Sequence, residues 1–159
     1  MTAPLYDVLG ARDPHGETVG SSSPRLTLTD EHARLLRQVT LRVDDLLKVI
    51  ALAQWPAREL QTLVGFLQTE VLQQAAREEH LLFPAHATPS QIARLNRDHA
   101  RLWAGTDVLQ RAATGESSQS HEQLAATVRS LLGQLERHLD TEEELLAMSG
   151  EPHPTDPGW

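Results

Sequence analysis

Histidine and carboxylate side chains recur at helical spacing in two segments of the chain. His138 and Glu142 are four residues apart, and Gln74 and Glu78 repeat that spacing. Side chains at positions i and i+4 project from the same face of a helix, about one turn apart. Imidazole nitrogen with carboxylate oxygen, and no thiolate, favours binding of iron, manganese or zinc over copper(I). Iron is the usual occupant where O₂ chemistry takes place.

The tetrapeptide HARL occurs twice, at 32–35 and at 99–102, and it places one further histidine ahead of each pair. The first copy is followed by QAAREEHLL at 74–82 and the second by HLDTEEELL at 138–146. The chain therefore looks like an α-helical hairpin that has been doubled. Each copy offers a histidine on its first helix and a glutamate on its second.

Four amphipathic helical patterns would position these residues, and no β-like alternation interrupts them. The first covers about residues 30–54 and the second about 57–83, where Pro84 stops it. The third opens with the capping box Thr88-Pro89-Ser90-Gln91, and the fourth with Ser120-His121-Glu122-Gln123. Short connections between successive helices imply antiparallel neighbours. The sequence therefore predicts an all-α, up-down-up-down four-helix bundle.

Six polar residues interrupt the apolar seams of these helices. Burial of a carboxylate or an imidazole is unfavourable unless the group is paired or binds a metal ion. Their distances from the helix connections place them in one layer near one end of the bundle. A bundle core holds a pair of metal ions with side chains of this kind from facing helices. The six are His32, Gln74, Glu78, His99, His138 and Glu142.

The order of these motifs resembles that of the hemerythrin-like (HHE cation-binding) family. The resemblance is carried by His32, EEHLLFP at 78–84, His99 and HLDTEE at 138–143, and it covers roughly residues 28–147. It implies a non-heme di-iron centre bridged by carboxylates. It also implies a role in O₂ or NO binding, iron handling, sensing or stress response.

Five residues are the predicted metal ligands, with the two glutamates as bridges between the ions. Gln74 departs from the family pattern, which has a second histidine at that position. A glutamine carbonyl is a poorer ligand for iron than imidazole, so one metal position is expected to be weakened. Gln74 is either a weak ligand, a hydrogen-bond partner of metal-bound water, or uninvolved. The predicted ligands are His32, Glu78, His99, His138 and Glu142.

Neighbouring polar and aromatic residues receive less specific predictions. His80 lies two residues beyond the Glu78 position and should face outward. Glu79, Glu143 and Glu144 are expected to form a solvated acidic face. Trp55 and Trp103 are expected to pack in the core or at the end of the bundle.

The composition narrows the classes of partner. The chain has 22 Asp and Glu against 14 Lys and Arg, a net charge of -8, which disfavours nucleic acid and anionic membranes as partners. It has no cysteine, which excludes disulfides and thiolate metal sites. No membrane-spanning run or leader pattern is present, so a cytoplasmic protein is expected. Residues 1–26 read as a flexible arm, 27–148 as the bundle and 149–159 as a flexible tail.

Three functions remain open from the sequence. The leading prediction is a non-heme iron protein, di-iron in the first instance with manganese or zinc as alternatives, that binds O₂, NO or peroxide. The second is an iron-dependent peroxidase or catalase-like enzyme, although no catalytic residue can be identified. The third is a metal-free bundle that acts as an interaction module. The sequence does not indicate an oligomeric state.

Overall fold

The computed structural model describes residues 24–82 and 87–148, which form four helices. The first helix is Pro24–Ala51, the third is Pro89–Thr114 and the fourth is His121–Met148. The second is helical throughout residues 57–82. Each helix packs against its two neighbours in a ring, the first against the fourth included. The described residues contain no β-strand, so the predicted all-α four-helix bundle is confirmed.

Both predicted capping boxes are present. The Thr88 backbone N–H donates to Gln91 Oε1 at 2.8 Å, and the Thr88 hydroxyl accepts from the Gln91 backbone N–H. The Ser120 N–H donates to Gln123 Oε1 at 2.9 Å, and the Gln123 N–H donates to Ser120 Oγ at 3.1 Å. The third helix ends at Gly115, whose φ of 76° lies in the left-handed region that glycine adopts without strain.

The first helix begins and ends earlier than the sequence predicts. It starts at Pro24 rather than near Asp30, because proline is well suited to the first turn, where its missing N–H has no helical partner. It stops at Ala51, where the chain turns through Ala53 with a φ of 56°. Residues 24–26 of the predicted arm are therefore helical. The rest of that arm and the predicted tail at 149–159 lie outside the described residues.

The second helix contains two π-helical turns, Leu67–Val71 and Glu78–Leu82, on either side of the α-helical turn Leu72–Arg77. A π turn accommodates one extra residue and shifts the faces presented by the residues that follow it. Such turns occur frequently at functional sites. Here they flank the α-helical turn that carries Gln74, and Glu78 is the first residue of the second π turn. The predicted stop at Pro84 lies outside the described residues.

Leucine and valine from all four helices form the core, with Leu46, Leu60, Leu109 and Leu124 fully enclosed. Trp55 and Trp103 do not belong to the core, since they are 41% and 52% exposed. Trp103 lies on an exposed face of the third helix, so the prediction is wrong for that residue. Trp55 lies in the connection between the first two helices and packs at that end of the bundle against the His121 ring, with centroids 5.9 Å apart, which is one of the two predicted alternatives. Among the described helices, none combines the length and apolar character needed to cross a membrane.

Candidate metal centre

All six polar residues on the predicted core faces are buried. None is more than 5% exposed, and side chains from the four helices meet in one layer near the end of the bundle where the second helix finishes and the third begins. The predicted burial and convergence are confirmed. The metal-ligand role of these residues stays a prediction. The six are His32, Gln74, Glu78, His99, His138 and Glu142.

Four of these side chains form a compact group that could hold one metal ion. Single ligand atoms of Glu78, His99, His138 and Glu142 all lie within 4.8 Å of one another. His99 Nε2 and His138 Nε2 are 2.8 Å apart, and Glu142 Oε1 is 3.0 Å from His138 Nε2. Glu78 Oε2 is 3.7 Å from His99 Nε2. We call this two-imidazole, two-carboxylate group the first position.

His32 approaches the same two carboxylates from the opposite side. Its Nε2 atom lies 3.4 Å from Glu78 Oε1 and 3.4 Å from Glu142 Oε2. Each carboxylate therefore presents one oxygen toward the first position and its other oxygen toward His32. Carboxylates placed in this way can bridge two ions. We call the group of His32 and these two oxygens the second position.

Gln74 is the residue that corresponds to His138 in the doubled pattern, because each precedes its glutamate by four residues. Its side chain is only 5% exposed. Its Nε2 atom has no hydrogen-bond partner among the described residues. A buried polar group without a partner is unfavourable, so this amide nitrogen lowers the stability of the fold.

The two glutamates are in different electrostatic environments. Burial raises the pKa of Glu78 to about 7, and the neighbouring negative charge of Glu142 adds to the shift while His32 opposes it. Burial also raises the pKa of Glu142, but hydrogen bonding to His138 and His99 outweighs it and lowers that pKa overall. Two carboxylates this close repel each other when both are ionised, so without a cation one of them keeps a proton.

The neighbouring glutamates raise the pKa of two buried histidines. Burial lowers the pKa of His32, but the hydrogen bond to Glu78 and the charge of Glu142 outweigh it and leave the pKa raised. His99 behaves in the same way, with Glu142 and Glu79 opposing burial. Without a metal ion, protons on these imidazoles supply the positive charge that the carboxylates require.

Two further glutamates contact the outer nitrogens of the buried histidines. His99 Nδ1 donates to Glu79 Oε1 at 2.7 Å, and Glu143 Oε1 lies 3.4 Å from His32 Nδ1. The prediction of a purely solvated acidic face is therefore wrong for these two residues, which are 37% and 39% exposed. A carboxylate on the far nitrogen fixes the tautomer and orientation of a metal-binding imidazole.

The repeated Glu-Glu dipeptide is the sequence signal that could have identified these contacts. Its first member turns into the core and its second reaches a histidine of the other half of the chain: Glu79 contacts His99, and Glu143 contacts His32. Sequence spacing alone does not predict this crossing, because it depends on how the two hairpins pack. The predicted outward orientation of His80 is confirmed, since that residue is exposed.

The donor set fits a bound cation. Both oxygens of Glu142 face imidazole nitrogens, Oε1 at 3.0 Å from His138 Nε2 and Oε2 at 3.4 Å from His32 Nε2, and that side chain is only 1% exposed. A buried carboxylate of this kind requires a compensating positive charge. Imidazole nitrogen and carboxylate oxygen are ligands that iron, manganese and zinc accept.

Comparison with known proteins gives one match. The family model described as the hemerythrin HHE cation binding domain matches residues 24–148, a range that includes all four helices and the whole buried polar layer. Searches among curated proteins and among solved structures give no significant match.

Proposed function

Because the chain belongs to the hemerythrin HHE cation-binding domain family, we propose that its buried polar layer binds non-heme iron. The proposed ligands are His32, Glu78, His99, His138 and Glu142. The observation that carries the proposal is the first position, where two imidazole nitrogens and two carboxylate oxygens converge within 4.8 Å in the core. Manganese and zinc accept the same ligand atoms and are the alternatives to iron.

The proposal assigns unequal strength to the two positions. The first position has two imidazoles and two carboxylate oxygens, whereas the second has one imidazole, His32, and two carboxylate oxygens. Gln74 corresponds to His138 in the doubled pattern, so it is the residue at which an imidazole would be expected to complete the second position. We therefore propose a centre with one tightly held ion and a second ion that is held weakly or absent.

Iron at this centre would supply an open coordination position for a small ligand such as O₂, NO or peroxide. The burial of the layer supports this role, since none of its six polar residues is more than 5% exposed. A small ligand such as O₂ or NO is therefore favoured over a bulky substrate. Sensing, carriage or detoxification of such a ligand follows from the proposal.

Metal analysis of purified variants tests the proposal. The wild-type protein, loaded with ferrous iron under anaerobic conditions and desalted, should retain close to one iron per chain in inductively coupled plasma mass spectrometry. His138→Ala should lose most of that iron, because it removes an imidazole from the first position. His80→Ala is the matched control, since it removes an exposed histidine only two residues beyond Glu78 and should keep the wild-type iron content.

The result that would overturn the proposal is equal metal content in these three proteins, or a wild-type protein that binds none of iron, manganese and zinc. The latter outcome would leave a bundle whose polar layer is satisfied by protons alone. Addition of NO to the ferrous protein should change its visible absorption in the wild type and in His80→Ala but not in His138→Ala. Turnover of peroxide by the loaded wild type would instead indicate an enzyme.

A further inference from the structure

A cavity of about 380 Å³ opens between the third and fourth helices, next to the polar layer. This volume lies in the range of pockets that hold small molecules. The third helix contributes three arginines to its wall, and the fourth helix contributes another. These residues are Arg94, Arg97, Arg101 and Arg137.

The charge of this cavity is opposite to that of the chain as a whole. The chain carries a net charge of -8, yet four arginines face the cavity against a single carboxylate, Asp98. Asp98 is engaged by Arg101, whose Nη1 donates to its Oδ1 at 2.9 Å. Within residues 24–82 and 87–148, no carboxylate oxygen lies within 4 Å of the side-chain nitrogens of the other three arginines, Arg94, Arg97 and Arg137. Their positive charge is therefore available to an anion.

Two buried polar atoms of the cavity wall add a more specific signal. His138 is 3% exposed, and its Nε2 atom faces the metal position while its Nδ1 atom has no hydrogen-bond partner among the described residues. An imidazole that offers its Nε2 lone pair to a metal carries its proton on Nδ1 and can donate there. The Oε1 atom of Gln134 is also buried and without a partner in the described part of the chain, so it can accept.

We propose that this cavity binds a small phosphate that carries a hydroxyl group, either inorganic hydrogenphosphate or a phosphorylated small metabolite with a hydroxyl on its carbon skeleton. The arginines and His138 Nδ1 donate hydrogen bonds to the anionic oxygens. Gln134 Oε1 accepts a hydrogen bond from the hydroxyl, which sulfate lacks at neutral pH. The bound anion contacts the outer edge of His138, so the site lies directly behind the first metal position. The inference goes beyond the proposed function, because the four arginines of the cavity are not among the proposed metal ligands.

Calorimetric titration of the full chain tests the inference. The titrants are inorganic phosphate, sulfate and glycerol 3-phosphate, at constant ionic strength and pH 6.5, and the protein is used both as purified and after treatment with a chelator. Wild-type protein should bind phosphate or glycerol 3-phosphate with one site per chain and should bind sulfate more weakly. Arg94→Gln combined with Arg137→Gln should raise the dissociation constant on the order of tenfold or more, because two charge-assisted hydrogen bonds are lost.

The matched control is Arg37→Gln combined with Arg129→Gln. These two arginines are exposed and lie outside the cavity, so the change in net charge is the same. The control should keep the dissociation constant within about twofold of wild type, since only long-range attraction is lost. Circular dichroism should show that both variants remain helical.

Tighter binding of glycerol 3-phosphate than of phosphate would identify a phosphorylated metabolite as the ligand, and the reverse order would identify free phosphate. Both results support the inference. Absence of saturable binding in both the purified and the chelator-treated wild type, or an equal loss in the control variant, would overturn it. Equal binding of sulfate and phosphate would overturn the role assigned to Gln134. Because this experiment does not require a metal ion, its failure leaves the proposed metal centre untouched.

Discussion

Replacement of Gln74 by histidine should complete the second metal position. In the wild type that position has one imidazole and two carboxylate oxygens, whereas the first has two imidazoles and two carboxylate oxygens. Gln74→His would give the two positions equal ligand sets, because residue 74 precedes Glu78 by the same four residues that separate His138 from Glu142. Retained iron should rise from near one to near two per chain in mass spectrometry of desalted protein.

Binding of the second iron ion should also raise the free energy of unfolding. If free iron exceeds the dissociation constant of the completed position by about 100-fold, binding adds about 2.7 kcal/mol to the free energy of unfolding. For a domain of this size that corresponds to a rise in melting temperature of roughly 10 °C. Differential scanning calorimetry with and without iron should measure this increment in Gln74→His relative to wild type.

Gln74→Leu is the matched control. Leucine is similar in size to glutamine but offers no ligand atom, so the retained iron should not exceed the wild-type amount. The metal-free protein should become more stable by about 1–3 kcal/mol, because the substitution removes a buried amide nitrogen that has no partner among the described residues. A folded Gln74→His protein that retains no more iron than wild type, or a wild type that already holds two ions, would refute the reasoning.

Three further predictions concern the surroundings of the centre and the packing of the bundle. Glu79→Gln should weaken iron binding by about 10- to 100-fold in a chelator competition assay, because it removes the negative charge on the outer nitrogen of a buried histidine, whereas the exposed Glu144→Gln should have no effect. Burial raises the pKa of Glu78 from its ordinary 4.5 to about 7, so the folded metal-free protein holds a proton that the unfolded chain releases. The free energy of unfolding in urea should therefore fall as the pH rises from about 5 to 8, by up to about 3 kcal/mol, and a flat or rising profile would contradict this. Gly105→Ala should destabilise the protein by about 1–2 kcal/mol, since the added methyl would lie 2.7 Å from a core leucine side chain. Gly65→Ala meets no atom within 4 Å and should instead stabilise the helix by up to about 1 kcal/mol, so equal effects on the urea midpoint would argue against this packing.

Much of the fold could be predicted from the sequence, because its signals are local. The spacing of leucine and valine marks the buried face of each helix, and Thr88 and Ser120 mark two helix starts through contacts with residues only three positions away. The start of the first helix at Pro24 was missed because the apolar pattern weakens before Asp30, while helical geometry does not require an apolar face. The two π turns were also missed, because the buried residues Leu63, Leu67, Val71 and Gln74 keep the three- and four-residue spacing of an α-helix.

The six buried polar residues of the candidate site could also be predicted, because their sequence signals are local. Six polar residues at core positions are conspicuous, and the duplicated motif places them at one depth. The contacts of the two outer glutamates could not be predicted, because Glu79 contacts His99 and Glu143 approaches His32 across different hairpins. The arginine-lined cavity could not be predicted from the sequence either. Arg137 reaches it from a different helix than Arg94 and Arg97, and no spacing in the sequence relates them.

The crossed contacts of the outer glutamates make the two hairpins mutually dependent. A hairpin cut at the 82–87 connection would carry a histidine whose orienting carboxylate belongs to the other fragment, as well as only one of the two inner glutamates. Fragments 24–82 and 87–148 produced separately should therefore each lack a complete ligand set and should regain iron retention only on reassociation. The same reciprocity means that a single-hairpin precursor would have needed a second copy of itself to assemble this layer.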